Sequence, residues 1–98
     1  MALYLIYCDK TNLDITKYKR FLVFLKKRDG SRILHCGWVV RGEAGDALYL
    51  YEQIKPLVQP EGRLLIIEIP ARTPFDNLLL TEKAFQGMLD RFARNVAP

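Results

Sequence analysis

Short, dense apolar runs alternate along this chain with stretches in which apolar residues recur every three or four positions. Ala2–Cys8 is a continuous run rich in strand-forming residues and predicts a buried central strand. It ends at Asp9-Lys10-Thr11-Asn12, a polar turn offering several N-caps for a helix. From Asp14 to Arg28 the residues Ile15, Tyr18, Phe21, Leu22 and Leu25 form one helical stripe, with Lys19, Arg20, Lys26 and Lys27 on the other side. Asp29-Gly30 closes that helix, with Gly30 as its left-handed stop. Ser31–Gly42 predicts extended chain, and Gly37 within it marks a bulge or a bend into two short strands.

A second helix opens at Glu43-Ala44-Gly45-Asp46, with Ala44, Ala47, Leu48, Tyr51 and Ile54 as its apolar stripe. Pro56 is expected to stop or kink it, and Pro60-Glu61-Gly62 to make a turn. Arg63–Pro70 is a further apolar run closed by proline and predicts a third buried strand. Ala71–Pro74 reads as a loop. Asn77–Asn95 returns to helical spacing through Leu78, Leu79, Phe85, Met88, Leu89 and Phe92, a looser pattern that Gly87 weakens.

This order predicts an α+β domain: a ferredoxin-like split β-α-β sandwich whose antiparallel sheet carries two helices on one face, plus a C-terminal helix. The whole of 1–98 is one domain, with its core in 2–70 and a helical extension over 75–95. Such a sheet leaves one face and its edges open, and a chain of 98 residues has little core to spare. A homodimer is therefore expected, with the C-terminal helix covering part of the open face in its own chain or on a partner.

Composition adds exclusions. Half the residues are hydrophobic and 27% charged, an ordinary globular balance, and no apolar run approaches the length of a membrane span. The opening MALYLIYCDK has neither a basic n-region nor a small-residue cleavage site, so no signal peptide is expected and the cytosol is the expected compartment. The net charge of +4 is concentrated. Residues 10–32 hold eight basic groups, Lys10, Lys17, Lys19, Arg20, Lys26, Lys27, Arg28 and Arg32, against Asp14 and Asp29. A local positive field of this kind attracts polyanions such as RNA or DNA; the plainer alternative is a solvated helix face.

Cys8 and Cys36 are too few for a disulfide framework and read as two reduced thiols acting as small hydrophobes. Together with His35 they fall short of a four-ligand zinc site. As neighbours on a strand, His35 and Cys36 would face opposite ways and share no proton. Trp38, Tyr49 and Tyr51 are candidate stacking platforms for bases. Trp38 is better suited to packing on the sheet or at a dimer interface, and Tyr49 falls off the helical stripe. The six glycines form no phosphate-binding loop, and no hydrolase or zinc-protease motif occurs.

The segments LYLIYCDK at 3–10, RILHCGWVVRG at 32–42 and IKPLVQPEGRLLIIEIP at 54–70 resemble the Cas2-like superfamily. These are the small ferredoxin-like proteins of CRISPR adaptation, with the VapD-like and SinR-like proteins beside them. The resemblance covers 3–70 and leaves the C-terminal helix unmatched. It implies a homodimer and, in some members, a metal-dependent endonuclease acting on RNA or DNA; in others, a nucleic-acid-binding subunit without catalysis. The residue it singles out is Asp9, the acid after the first strand, as catalytic and metal-binding group. Here the string is Tyr7-Cys8-Asp9, whereas the family pattern puts tyrosine directly before the aspartate. Mg2+ or Mn2+ prefers oxygen ligands and keeps several waters. One carboxylate per chain becomes two across a dimer axis, enough to hold a hydrated ion against a phosphate. Without the resemblance, Asp9 reads as a helix N-cap or turn acid, and the chain as a non-catalytic dimerising or protein-interaction module, or a small-molecule binder with an apolar pocket over the sheet.

Overall fold

The computed structural model describes residues 2–9, 14–60, 62–70, 72–79 and 82–96, with the side chains of the last segment described over 83–90. The elements run β1 (Ala2–Asp9), α1 (Ile15–Lys27), β2 (Ser31–Leu34), β3 (Gly37–Gly42), α2 (Ala47–Val58), β4 (Arg63–Glu68) and α3 (Glu82–Val96). The sheet order is β2-β3-β1-β4, and every neighbouring pair is antiparallel. β1 and β2 therefore run parallel with β3 between them, and β3 and β4 run parallel with β1 between them. α1 joins the first split pair and α2 the second, which makes the chain an α+β, ferredoxin-like sandwich.

Alternation along β1 sends Ala2, Tyr4, Ile6 and Cys8 to one face and Leu3, Leu5, Tyr7 and Asp9 to the other. On the first face α1 and α2 bury Phe21, Leu25, Leu50, Ile54 and Val58 against the β1 set and against Trp38 and Val40 of β3. Phe21 meets Trp38 edge to face, with ring centroids 5.2 Å apart, the arrangement favoured by aromatic quadrupoles. On the second face α3 lays Phe85 and Leu89 over Leu3, Ile33 and Val39, helped by Phe75 and Leu78 from the preceding loop. The C-terminal helix thus covers the second face in its own chain, but only in part: Tyr7, Leu65 and Ile67 stay exposed there.

Several details differ from the sequence reading. The N-cap of α1 is Asp14, whose carboxylate accepts from the Lys17 N–H at 2.8 Å, not a residue of the preceding turn; Lys10-Thr11-Asn12 lies outside the described residues. Asp29, not Gly30, takes the left-handed conformation after α1. Gly30 is needed for room instead, because a Cβ there would sit 2.7 Å from the Leu25 carbonyl oxygen. The extended pair bends at His35-Cys36, immediately before Gly37. α2 begins after Asp46 and runs past Pro56 to Val58, so the proline does not stop it. Its buried stripe is Leu50, Ile54 and Val58; of the stripe read from the sequence, Ile54 is buried, Ala47 and Tyr51 are half-buried, and Ala44 and Leu48 are exposed, because the sheet meets the helix on a side turned toward Leu50. β4 is an edge strand rather than a buried one, with Leu65 and Ile67 open to solvent. α3 starts at Glu82, five residues later than the spacing suggested, because the left-handed Asn77 and the loop around it carry Leu78 and Leu79 outside the helix. The side chain of Phe92 lies outside the described residues.

Candidate functional site

Asp9 ends β1 on the second face, opposite Arg63 of β4. The Arg63 Nη1 stands 3.8 Å from the carboxylate, whose side chain is 26% exposed. An ion pair this long at a sheet edge contributes little stability. Among the described residues no group of three or more histidine, cysteine, aspartate or glutamate side chains converges on a common point. Among the described residues, Asp9 is thus one carboxylate with a guanidinium beside it, which by itself is not a sufficient donor set for a Mg2+ or Mn2+ ion.

The seven described members of the eight-residue basic cluster divide into three groups. Lys19, Arg20, Lys26 and Lys27 are all exposed on α1, and at 100° per residue they fall on one side of the helix. None of the four enters an ion pair among the described residues. Lys19 to Lys26, and Arg20 to Lys27, each span seven residues, about 10 Å along the axis or about three nucleotides of rise along a duplex strand. Thr16 and Val23 fill the gaps between these cations in a shallow surface hollow. The second group is already engaged within the fold. The Lys17 ammonium donates to the Gln59 carbonyl at the end of α2. The half-buried Arg28 lays its guanidinium over the rings of Phe24 and Tyr49, at 5.1 and 5.8 Å from their centroids. The third is Arg32, exposed on the outer strand β2 away from the helix. Lys10 lies outside the described residues.

Where α1 ends, an open cleft of about 330 Å³ is lined by Lys27, Arg28, Arg41, Asp29, Glu43 and Asp46. Its charges balance, and Arg41 and Asp29 already pair at 2.7 Å. The wall formed by residues 43–46 is tied to the sheet by a network the sequence did not disclose. The buried Tyr4 hydroxyl faces the Glu43 carbonyl and Glu68 Oε1, the latter at 2.9 Å, and accepts from the Asp46 N–H at 2.8 Å. Glu68 Oε1 also accepts from the Gly45 N–H at 3.0 Å. Burial, reinforced by the Glu68 carboxylate, pushes the Tyr4 hydroxyl up to about 12. The Gly45 N–H, followed by the Tyr4 hydroxyl, holds the Glu68 carboxyl below its ordinary value. The one available signal was a glutamate inside an otherwise apolar strand run.

Trp38 is buried on the first face between Tyr18 and Phe21 and offers no platform for a base. Tyr51 is half-buried with the Lys55 ammonium over its ring. Tyr49 is the aromatic left half-exposed, beside Arg28. His35 is exposed and shares a turn with Cys36, so the alternation of a strand does not separate them. Burial, with smaller contributions from Asp9 and Cys36, pushes the Cys8 thiol up to about 11. Among the described residues no helix is long and apolar enough to cross a membrane. Comparison of the chain with protein-family models, with curated proteins and with solved structures finds no match.

Proposed function

We propose that this is a cytosolic, nucleic-acid-associated protein of Cas2-like type that works as a homodimer and docks a phosphate backbone on the outer face of α1. The observation that carries the reading is the single-sided set Lys19, Arg20, Lys26 and Lys27, exposed and outside any ion pair among the described residues. Each such cation that meets a phosphate releases a condensed counterion, and that release drives binding without regard to sequence. The exposed strip Tyr7, Leu65 and Ile67 supports the homodimer part of this reading, as apolar surface that a second copy would bury.

The test is fluorescence anisotropy of labelled RNA and DNA oligonucleotides across a salt series. Binding is expected to weaken with salt, with a log–log slope of about −3 to −4 on duplex DNA for four phosphate contacts. Lys19→Ala combined with Lys26→Ala is expected to reduce that slope by about two. Binding that ignores both salt and these substitutions, or no binding at low salt, overturns the reading.

Metal-dependent phosphodiester cleavage is a second reading. It is favoured by one placement: Asp9 lies on the same, partly uncovered face as Tyr7, where a symmetry-related carboxylate can join it. Cleavage that requires Mg2+ or Mn2+ and disappears in Asp9→Asn sustains it. Binding without cleavage leaves the non-catalytic module.

A further inference from the structure

The two cysteines, remote in sequence, are cross-strand neighbours. The β1–β3 ladder runs from Ala2 opposite Gly42 to Tyr7 opposite Gly37. One more step sets Cys8 opposite Cys36, and there the Cys8 N–H donates to the Cys36 carbonyl at 2.9 Å. Directly opposed residues of a hydrogen-bonded antiparallel pair have Cα atoms about 5.5 Å apart, within the roughly 4.4–6.8 Å that a disulfide spans. The Cys8 N–H bond to the Cys36 carbonyl carries the pairing one step beyond the ladder into the turn, and Cys36 lies near enough to Cys8 to oppose its ionisation. Both thiols are free; Cys8 is buried, while Cys36 is half-buried in the β2–β3 turn and within reach of solvent.

We propose that Cys8 and Cys36 form an oxidisable dithiol that closes to an intramolecular disulfide between the central strand and the β2–β3 turn. The oxidant is a hydroperoxide. The Cys36 thiolate attacks the peroxide, the O–O bond breaks, and Cys36 becomes a sulfenic acid while the departing oxygen leaves as water or alcohol. The Cys8 sulfur then attacks the sulfenic sulfur, the S–O bond breaks, the S–S bond forms, and the Cys8 proton leaves with the hydroxyl as water. Two thiols supply the two electrons that reduce the peroxide. A dithiol reductant reopens the crosslink by thiol–disulfide exchange.

The test treats the full chain with hydrogen peroxide and follows it by thiol titration and peptide mapping. Reactive thiols under denaturing conditions are expected to fall from two per chain to none, and the intact mass to drop by two hydrogen atoms. The tryptic peptide ending at Lys10 is expected joined to the one between Arg32 and Arg41, and dithiothreitol is expected to restore both thiols. Cys36→Ser, at the half-buried turn position, is expected to leave Cys8 fully alkylatable after the same treatment. A Cys36–Cys36 link between chains, or Cys36 carried on to sulfinic acid while Cys8 stays reduced, overturns the proposal.

Discussion

The two faces of the sheet use the same kind of residue and end in different states. On the first, α1 and α2 close over β1 and β3, and Tyr4, Ile6, Cys8, Phe21, Val40, Leu50 and Ile54 are all sealed from solvent. On the second, α3 seals Leu3, Ile33 and Val39 and stops short of Tyr7, Leu65 and Ile67. α1 and α2 together cover the first face of the four-stranded sheet; α3 covers the second only in part. The first face is therefore the more completely sealed, whereas the second leaves Tyr7, Leu65 and Ile67 exposed.

Truncations on each face test this division. Phe21→Ala removes a sealed ring that contacts Trp38 and is expected to cost about 3–5 kcal/mol in chemical denaturation. Phe85→Ala on the second face loses the edge-to-face contact with Phe75 and is expected nearer about 3 kcal/mol. A larger loss than at Phe21 would reverse the ranking of the faces. Gly42→Ala would set a Cβ 2.9 Å from the Tyr4 ring, which is sealed in the first-face core and cannot retreat. It is expected to destabilise by about 1–3 kcal/mol.

The Tyr4–Glu68 network adds a pH signature to the first face. Because folding raises the Tyr4 hydroxyl from 10.0 to about 12, its contribution is complete below pH 10.0 and is lost as pH climbs towards about 12. Because folding lowers the Glu68 carboxyl from its ordinary 4.5, its contribution is present above that pH and is lost as pH falls through the depressed value. Thermal melting across pH checks both, and Tyr4→Phe is expected to remove the alkaline step. The smallest effect belongs to the open strip. Leu65→Ser is expected to shift the intrinsic stability of the chain by no more than about 0.5 kcal/mol. A loss well beyond that, growing with protein concentration, would show that a second copy covers the strip.

Much of the fold was legible because its signals are local. The apolar stripe of α1 from Tyr18 to Leu25, the bend just before Gly37 and the run at 63–68 each follow from residues within a few positions of one another. The site was less legible. The eight cations of 10–32 read as one patch, yet Lys17 is engaged by Gln59 and Arg28 by Tyr49, partners that only the packing of α1 against α2 brings near, and Arg28 also lies over Phe24, one turn back in its own helix. Cys8 and Cys36 read as unrelated small hydrophobes because their proximity depends on the β1–β3 register. Tyr4 read as one more apolar strand residue because its acceptor lies at the far end of the next strand but two.

The sequence by itself determined the order and type of the elements, the helical side of α1 on which four cations gather, and the place of Asp9 at the end of the first strand. Period and turn chemistry are short-range properties, and no distant contact is needed to set them. Tertiary structure alone decided that Arg63–Glu68 forms an edge, that the stripe of α2 runs through Leu50 rather than Leu48, and that α3 folds back to cover part of one face. A uniformly apolar run or two overlapping stripes can satisfy several arrangements equally well until the sheet presents one particular surface to bury against.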